Sequence, residues 1–186
     1  MPNGRHMNDI QLAITFGLLA ASTVLLIILR LAKAQPSYLA LSWLLLLALG
    51  NVLFLQLIRM LTLQPDDRSG NGNPAILLWL PMVILAFVLC ACISRAIIRW
   101  TKPTRRASTV VSIVGAALSA GSAWGQILFA KSLLRKLAEI KHVTPQHLNT
   151  LYFNYWTLLI CVGLTLAGSG IWLHRKLGSQ RRASGI

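Results

Sequence analysis

The chain has 186 residues, 55% of them hydrophobic, and carries 18 Lys and Arg against 4 Asp and Glu, a net charge of +14. The longest interval between apolar stretches, 131–151, is too short to bury a core of its own, which excludes a separate soluble domain. The basic residues sit at the ends of apolar stretches and in short loops, so anionic lipid headgroups are their expected counterions and nucleic acid is not an expected partner.

Five apolar stretches run over 10–32, 38–63, 75–98, 109–130 and 152–173, each at least 22 residues long. A helix needs about 20 residues to cross ~30 Å of hydrocarbon. A backbone in lipid must satisfy its own hydrogen bonds, so helices are the expected form. The predicted fold is all-α, a polytopic integral membrane helix bundle with five transmembrane helices, forming a single bundle over 1–186.

The first stretch has a signal-peptide look, with Ala32-Lys33-Ala34 in the place of a cleavage site. Its length exceeds the roughly 7–15 residues of a signal core, and Arg30 and Lys33 charge the region, so a retained span is expected. Met7 offers a second start, with residues 1–6 a candidate extension. A short connection containing Pro36 makes spans one and two antiparallel neighbours. Span two carries Asn51 near its middle and Gln56 further on. The loop 64–74 reads QPDDRSGNGNP, rich in turn formers, and its paired acids lack calcium-loop spacing.

Span three contains Pro81, a candidate kink, and Cys90 and Cys92. Two residues apart on a helix, these thiols point about 200° from one another and cannot chelate one metal. With Cys161 they read as small apolar packing residues, and neither a metal site nor a cofactor is expected. Span four is rich in small residues, among them Gly115, Ser119 and the Gly121-x-x-x-Gly125 pair. Such a surface admits a second helix closely, where van der Waals contact replaces the hydrophobic drive missing in lipid. Span five offers a matching patch with Gly163, Ala167, Gly168, Ser169 and Gly170. Two readings follow: spans four and five pack on each other, or span four meets a membrane-protein partner or a second copy. Gln126 of span four lies at the depth of Gln56. A hydrogen bond between them would act as inter-helix glue; alternatively both line a polar path with Asn51.

After span four, 131–142 places Leu133, Leu134, Leu137 and Ile140 at helical spacing among Arg135, Lys136 and Lys141. It reads as an amphipathic helix on the membrane surface or as an extension of span four, with Arg135 and Glu139 spaced to pair. Thr144 and Pro145 have the chemistry of an N-cap and first helical residue for the fifth helix. Residues 174–186 form a basic tail. Arg105-Arg106-Ala107-Ser108 recurs as Arg181-Arg182-Ala183-Ser184, a kinase-like pattern, although Arg-rich ends also fix topology.

Lys and Arg near span ends set orientation. With the N-terminus outside, eleven fall inside: Arg30, Lys33, Arg95, Arg99, Lys102, Arg105, Arg106, Arg175, Lys176, Arg181 and Arg182. Seven basic residues and all four acids, Asp9, Asp66, Asp67 and Glu139, fall outside. The count favours N-out and C-in across a cell membrane. Arg99, Lys102, Arg105, Arg106, Arg175, Lys176, Arg181 and Arg182 then act as inner-leaflet anchors. Tyr38, Trp100 and Trp172 belong at the inner interface, and Trp79, Tyr152, Tyr155 and Trp156 at the outer one. Trp43 and Trp124 lie deeper and are expected to pack.

No Asp, Glu or well-buried His lies inside a span, which argues against carboxylate-driven pumping and a bis-His haem. No Ser/His/Asp set or HExxH motif is present, so an enzyme is not expected. The sequence leads to an accessory, assembly or protective subunit acting through helix contacts. The alternative is a small transporter or channel for a lipid, anion or apolar solute.

Overall fold

The computed structural model describes residues 3–31, 35–62, 73–100, 104–138 and 148–183. Among the described residues the chain is helical and has no strand. The helices are α1 (Asn3–Leu31), α2 (Pro36–Leu61), α3 (Ile76–Trp100), α4 (Arg105–Ala138), α5 (Asn149–Tyr152) and α6 (Tyr155–Ala183). Five segments are long and apolar enough to cross a membrane: Ala13–Arg30, Pro36–Leu61, Ile76–Trp100, Arg105–Ala138 and Asn149–Ser179. They are compatible with a multi-pass membrane protein.

Local chemistry sets several boundaries away from the apolar limits. α2 opens with Pro36 at its first turn, where the missing N–H has no helical partner to lose. α4 starts at Arg105 because the Thr104 hydroxyl accepts the Ala107 N–H at 3.1 Å, an N-cap. It then continues to Ala138, 34 residues in all, or about 51 Å. Over 131–138 the amphipathic segment is therefore an extension of span four. Its last residues, including Glu139, lie outside the described residues, as do Thr144, Pro145 and the loop 63–72. The fifth span is interrupted. The Phe153 N–H donates to the Asn149 carbonyl at 3.0 Å. The Asn154 amide donates to the carbonyls of Thr150 and Leu151 at 2.9 and 3.0 Å. These bonds take up the C-terminal carbonyls of α5 before α6 begins. The basic tail is no loose extension as far as Ala183, where α6 ends.

Hydroxyls and amides inside the helices bond their own backbone, as an apolar surrounding requires. Thr23 donates to Leu19, Ser42 to Tyr38, Asn51 to Leu47, and Thr165 to Cys161, at 2.8–3.0 Å.

The chain divides into two compact units, 1–89 with 129–155 and 90–128 with 156–186. In the first, α1 packs along α2. The buried positions of α1, Thr15, Ser22 and Leu26, lie seven and four residues apart on one face. α2 buries Ser42, Asn51, Leu53, Leu55 and Ile58. Asn73 and Asn149 exchange two side-chain hydrogen bonds, both 2.9 Å, just before α3 and at the start of α5. Trp79 stacks on Phe153 with ring centroids 5.2 Å apart.

Candidate functional site

In the second unit α4 and α6 run antiparallel and meet along a seam of small side chains. The α4 positions are Ser108, Ser112, Gly115 and Ser119; those of α6 are Ile160, Gly163, Ala167, Gly170 and His174. Steps of four and three alternate on both helices, a 3.5-residue repeat that keeps one face toward the partner.

The approach is close enough to involve backbone. A Cβ added to Gly115 would meet the Ala167 amide nitrogen and stand 2.6 Å from the Gly163 carbonyl oxygen. At Gly163 it would stand 2.7 Å from the Ser119 nitrogen, and at Gly170 2.7 Å from both the Ser108 carbonyl oxygen and the Ser112 nitrogen. Real Cβ contacts of that length do not occur, so these glycines are requirements of the seam. Polar bonds add to it. Ser119 Oγ donates to the Ile160 carbonyl at 3.4 Å. Ser108 Oγ donates to Arg105 at 2.9 Å and lies 3.4 Å from His174 Nδ1. The Ser108 proton is used in the bond to Arg105, so the contact closes as a hydrogen bond when His174 carries its proton on Nδ1.

Of the small residues singled out in the sequence, Gly115, Ser119, Gly163, Ala167 and Gly170 meet in this seam. Gly125 sits beside it, with the Trp156 ring 2.6–2.7 Å from where its Cβ would be. Gly121 does not join it. It is about 140° round the helix from the seam, with open space where a Cβ would lie. Ser108, Ser112 and His174 also form the seam; the 4–3–4 spacing of small residues was the signal that would have found the two serines. Ser108 is 1% exposed, so the kinase-like pattern there does not present its hydroxyl. Ser184 lies outside the described residues.

Asn51 is fully buried and Gln56 partly so. Asn51 donates from Nδ2 to Leu47 at 2.8 Å, while its Oδ1 has no partner among the described residues; Gln56 Oε1 is in the same position. Gln56 belongs to the first unit and Gln126 to the second. Arg99, Arg105, Arg106, Arg175 and Lys176 are exposed. Lys176 Nζ stands 5.2 Å from the centre of the Trp172 ring. Arg181 and Arg182 lie in the last turn of α6, and Lys102 lies outside the described residues.

The two deep tryptophans correct the expectation that they pack. Trp43 is 49% and Trp124 65% exposed, each projecting from its helix. Depth along a span is legible from sequence position; the direction a ring faces is set by helix phase. α3 likewise turns Leu77, Leu80, Val83 and Phe87 outward. Among the described residues no three His, Cys, Asp or Glu side chains gather as a metal site would need.

The chain matches no protein-family model, and comparison with curated proteins and with solved structures finds no match.

Proposed function

We propose that this chain is a multi-pass protein of a cell membrane, N-terminus outside and C-terminus inside. In this reading it serves as a non-enzymatic accessory, assembly or protective subunit that works through helix contacts. The observation behind the reading is the division of α4 into two small-residue surfaces. One is taken up by α6; the other, around Gly121, stands open beside Ala117, Ala120 and Trp124, all exposed. A helix can approach backbone closely at such a place.

Mild-detergent purification from the native membrane, followed by mass spectrometry and particle sizing, tests it. A stoichiometric partner that is lost on Gly121→Leu is the expected result. That substitution meets open space within the chain, so loss of the partner would not reflect loss of the fold. Turnover or flux by the purified chain alone would sink the reading. Reporter fusions at the two ends test the orientation.

Transport is the second reading, favoured by Asn51. A buried amide oxygen without a partner is costly in an apolar interior and suits a polar path. In proteoliposomes, flux that falls on Asn51→Leu would support it, and unchanged flux would remove Asn51 from such a path.

A further inference from the structure

The second unit carries a groove of about 410 Å³ between the C-terminal half of α3 and α6, lined by Ser94, Ile98, Leu164, Thr165, Gly168, Ser169 and Trp172. Its hydroxyls are occupied. Ser169 Oγ donates to Ser94 Oγ at 2.9 Å, and Thr165 donates to the Cys161 carbonyl at 2.8 Å. Gly168 faces open space, which leaves a gap one side chain deep. Trp172 lies eight positions after Leu164, about 12 Å along the helix. A trough of this shape, its polar groups already bonded, suits a hydrocarbon chain better than a hydrated solute.

The residues that follow the lining in the chain have a different chemistry. Arg95 and Arg99 follow directly after the lining residues Ser94 and Ile98, and Arg175 and Lys176 follow Trp172; all four are exposed. Lys176 rests against the Trp172 ring, one wall of the groove. The sequence of this unit, 90–128 with 156–186, contains no Asp or Glu. Nothing acidic on its own segments competes for these cations.

We propose that the groove holds an anionic phospholipid, one acyl chain lying along Gly168 and the headgroup phosphate meeting Lys176, Arg99 and their neighbours. Hydrocarbon fills the trough, charge selects the headgroup, and Trp172 joins the two at interfacial depth. The site is independent of the surface around Gly121.

The test is native mass spectrometry of the full chain in mild detergent, titrated with phosphatidylglycerol or with phosphatidylcholine of the same chains. Wild-type protein should retain one phosphatidylglycerol in clear preference to phosphatidylcholine. Gly168→Leu fills the gap and should abolish that retention. Lys176→Gln and Arg99→Gln should each weaken phosphatidylglycerol about fivefold and leave phosphatidylcholine unchanged, as expected for a basic residue near an anionic surface. Circular dichroism checks that each variant is folded, and the two exposed charge variants keep the test decisive if Gly168→Leu is not. Equal retention of the two lipids, or undiminished phosphatidylglycerol on the charge variants, would overturn the proposal. So would undiminished binding by folded Gly168→Leu, or a dimer that this substitution dissolves, which would make a second copy the occupant.

Discussion

The α4–α6 seam and the α1–α2 contact solve one problem with different residues. α4 and α6 meet through Gly, Ser and Ala, and their backbones nearly touch. α1 and α2 pack along each other and bury mostly Thr, Ser, Leu and Ile, with Asn51, and their glycines, Gly17 and Gly50, have nothing within 4 Å of an added Cβ. In lipid there is no hydrophobic gain from hiding a leucine, so attraction between helices depends on fit. A seam of small residues reaches that fit by closeness and leaves no slack. A contact between bulky side chains can readjust by rotamer changes. The same residue type should therefore behave in opposite ways in the two places.

The largest effect is expected at Gly115→Leu. Overpacking a tight core costs roughly 1–3 kcal/mol and more where backbone blocks the new atoms, so we expect a loss of about 3 kcal/mol or more. Unfolding in mixed micelles reads it, and wild-type stability in this variant would dissolve the distinction between the two contacts. Next comes Asn149→Ala, which strands the half-buried Asn73 amide and should cost about 1–3 kcal/mol. The double variant with Asn73→Ala should lose less than the sum of the single losses, and simple additivity would show that the two amides do not couple. Gly17→Ala should move the other way, gaining about 0.5–1 kcal/mol from helix propensity, because nothing stands in the path of the methyl group. A loss there would mean that α1 is also closely packed. The smallest effect belongs to Ser119→Ala, which removes a 3.4 Å hydrogen bond and keeps the seam's shape. A loss of about 0.6 kcal/mol is the ordinary figure for such bonds in a membrane, and a loss as large as that of Gly115→Leu would shift the weight of the seam from closeness to polarity.

The five spans were legible in the sequence because apolar length is a one-dimensional property. Small-residue enrichment pointed to the right pair of helices for the same reason. Facing was harder to read. Gly121-x-x-x-Gly125 names a row on the helix but not what covers it, and only Gly125 finds a ring beside it. The alternation of four and three from Ser108 to Ser119, matched from Ile160 to His174, does fix a phase, because two helices can share a 3.5-residue repeat only along one line. The break at Phe153–Asn154 was hidden, because it follows from side-chain bonds of Asn154 to carbonyls that apolar periodicity does not register. The start of α4 was open to a closer reading: Thr104 is an ordinary N-cap residue.

The exchange between Asn73 and Asn149 spans 76 residues of chain. At about 5–20 residues per second, a ribosome needs roughly 4–15 s to make the second amide after the first. During that interval α3 and α4 are synthesised while Asn73 has yet to meet this partner. The pair can close only after both helices have been made and Asn149 has followed them. It thus forms late in biosynthesis, as a latch that closes only behind the two intervening helices.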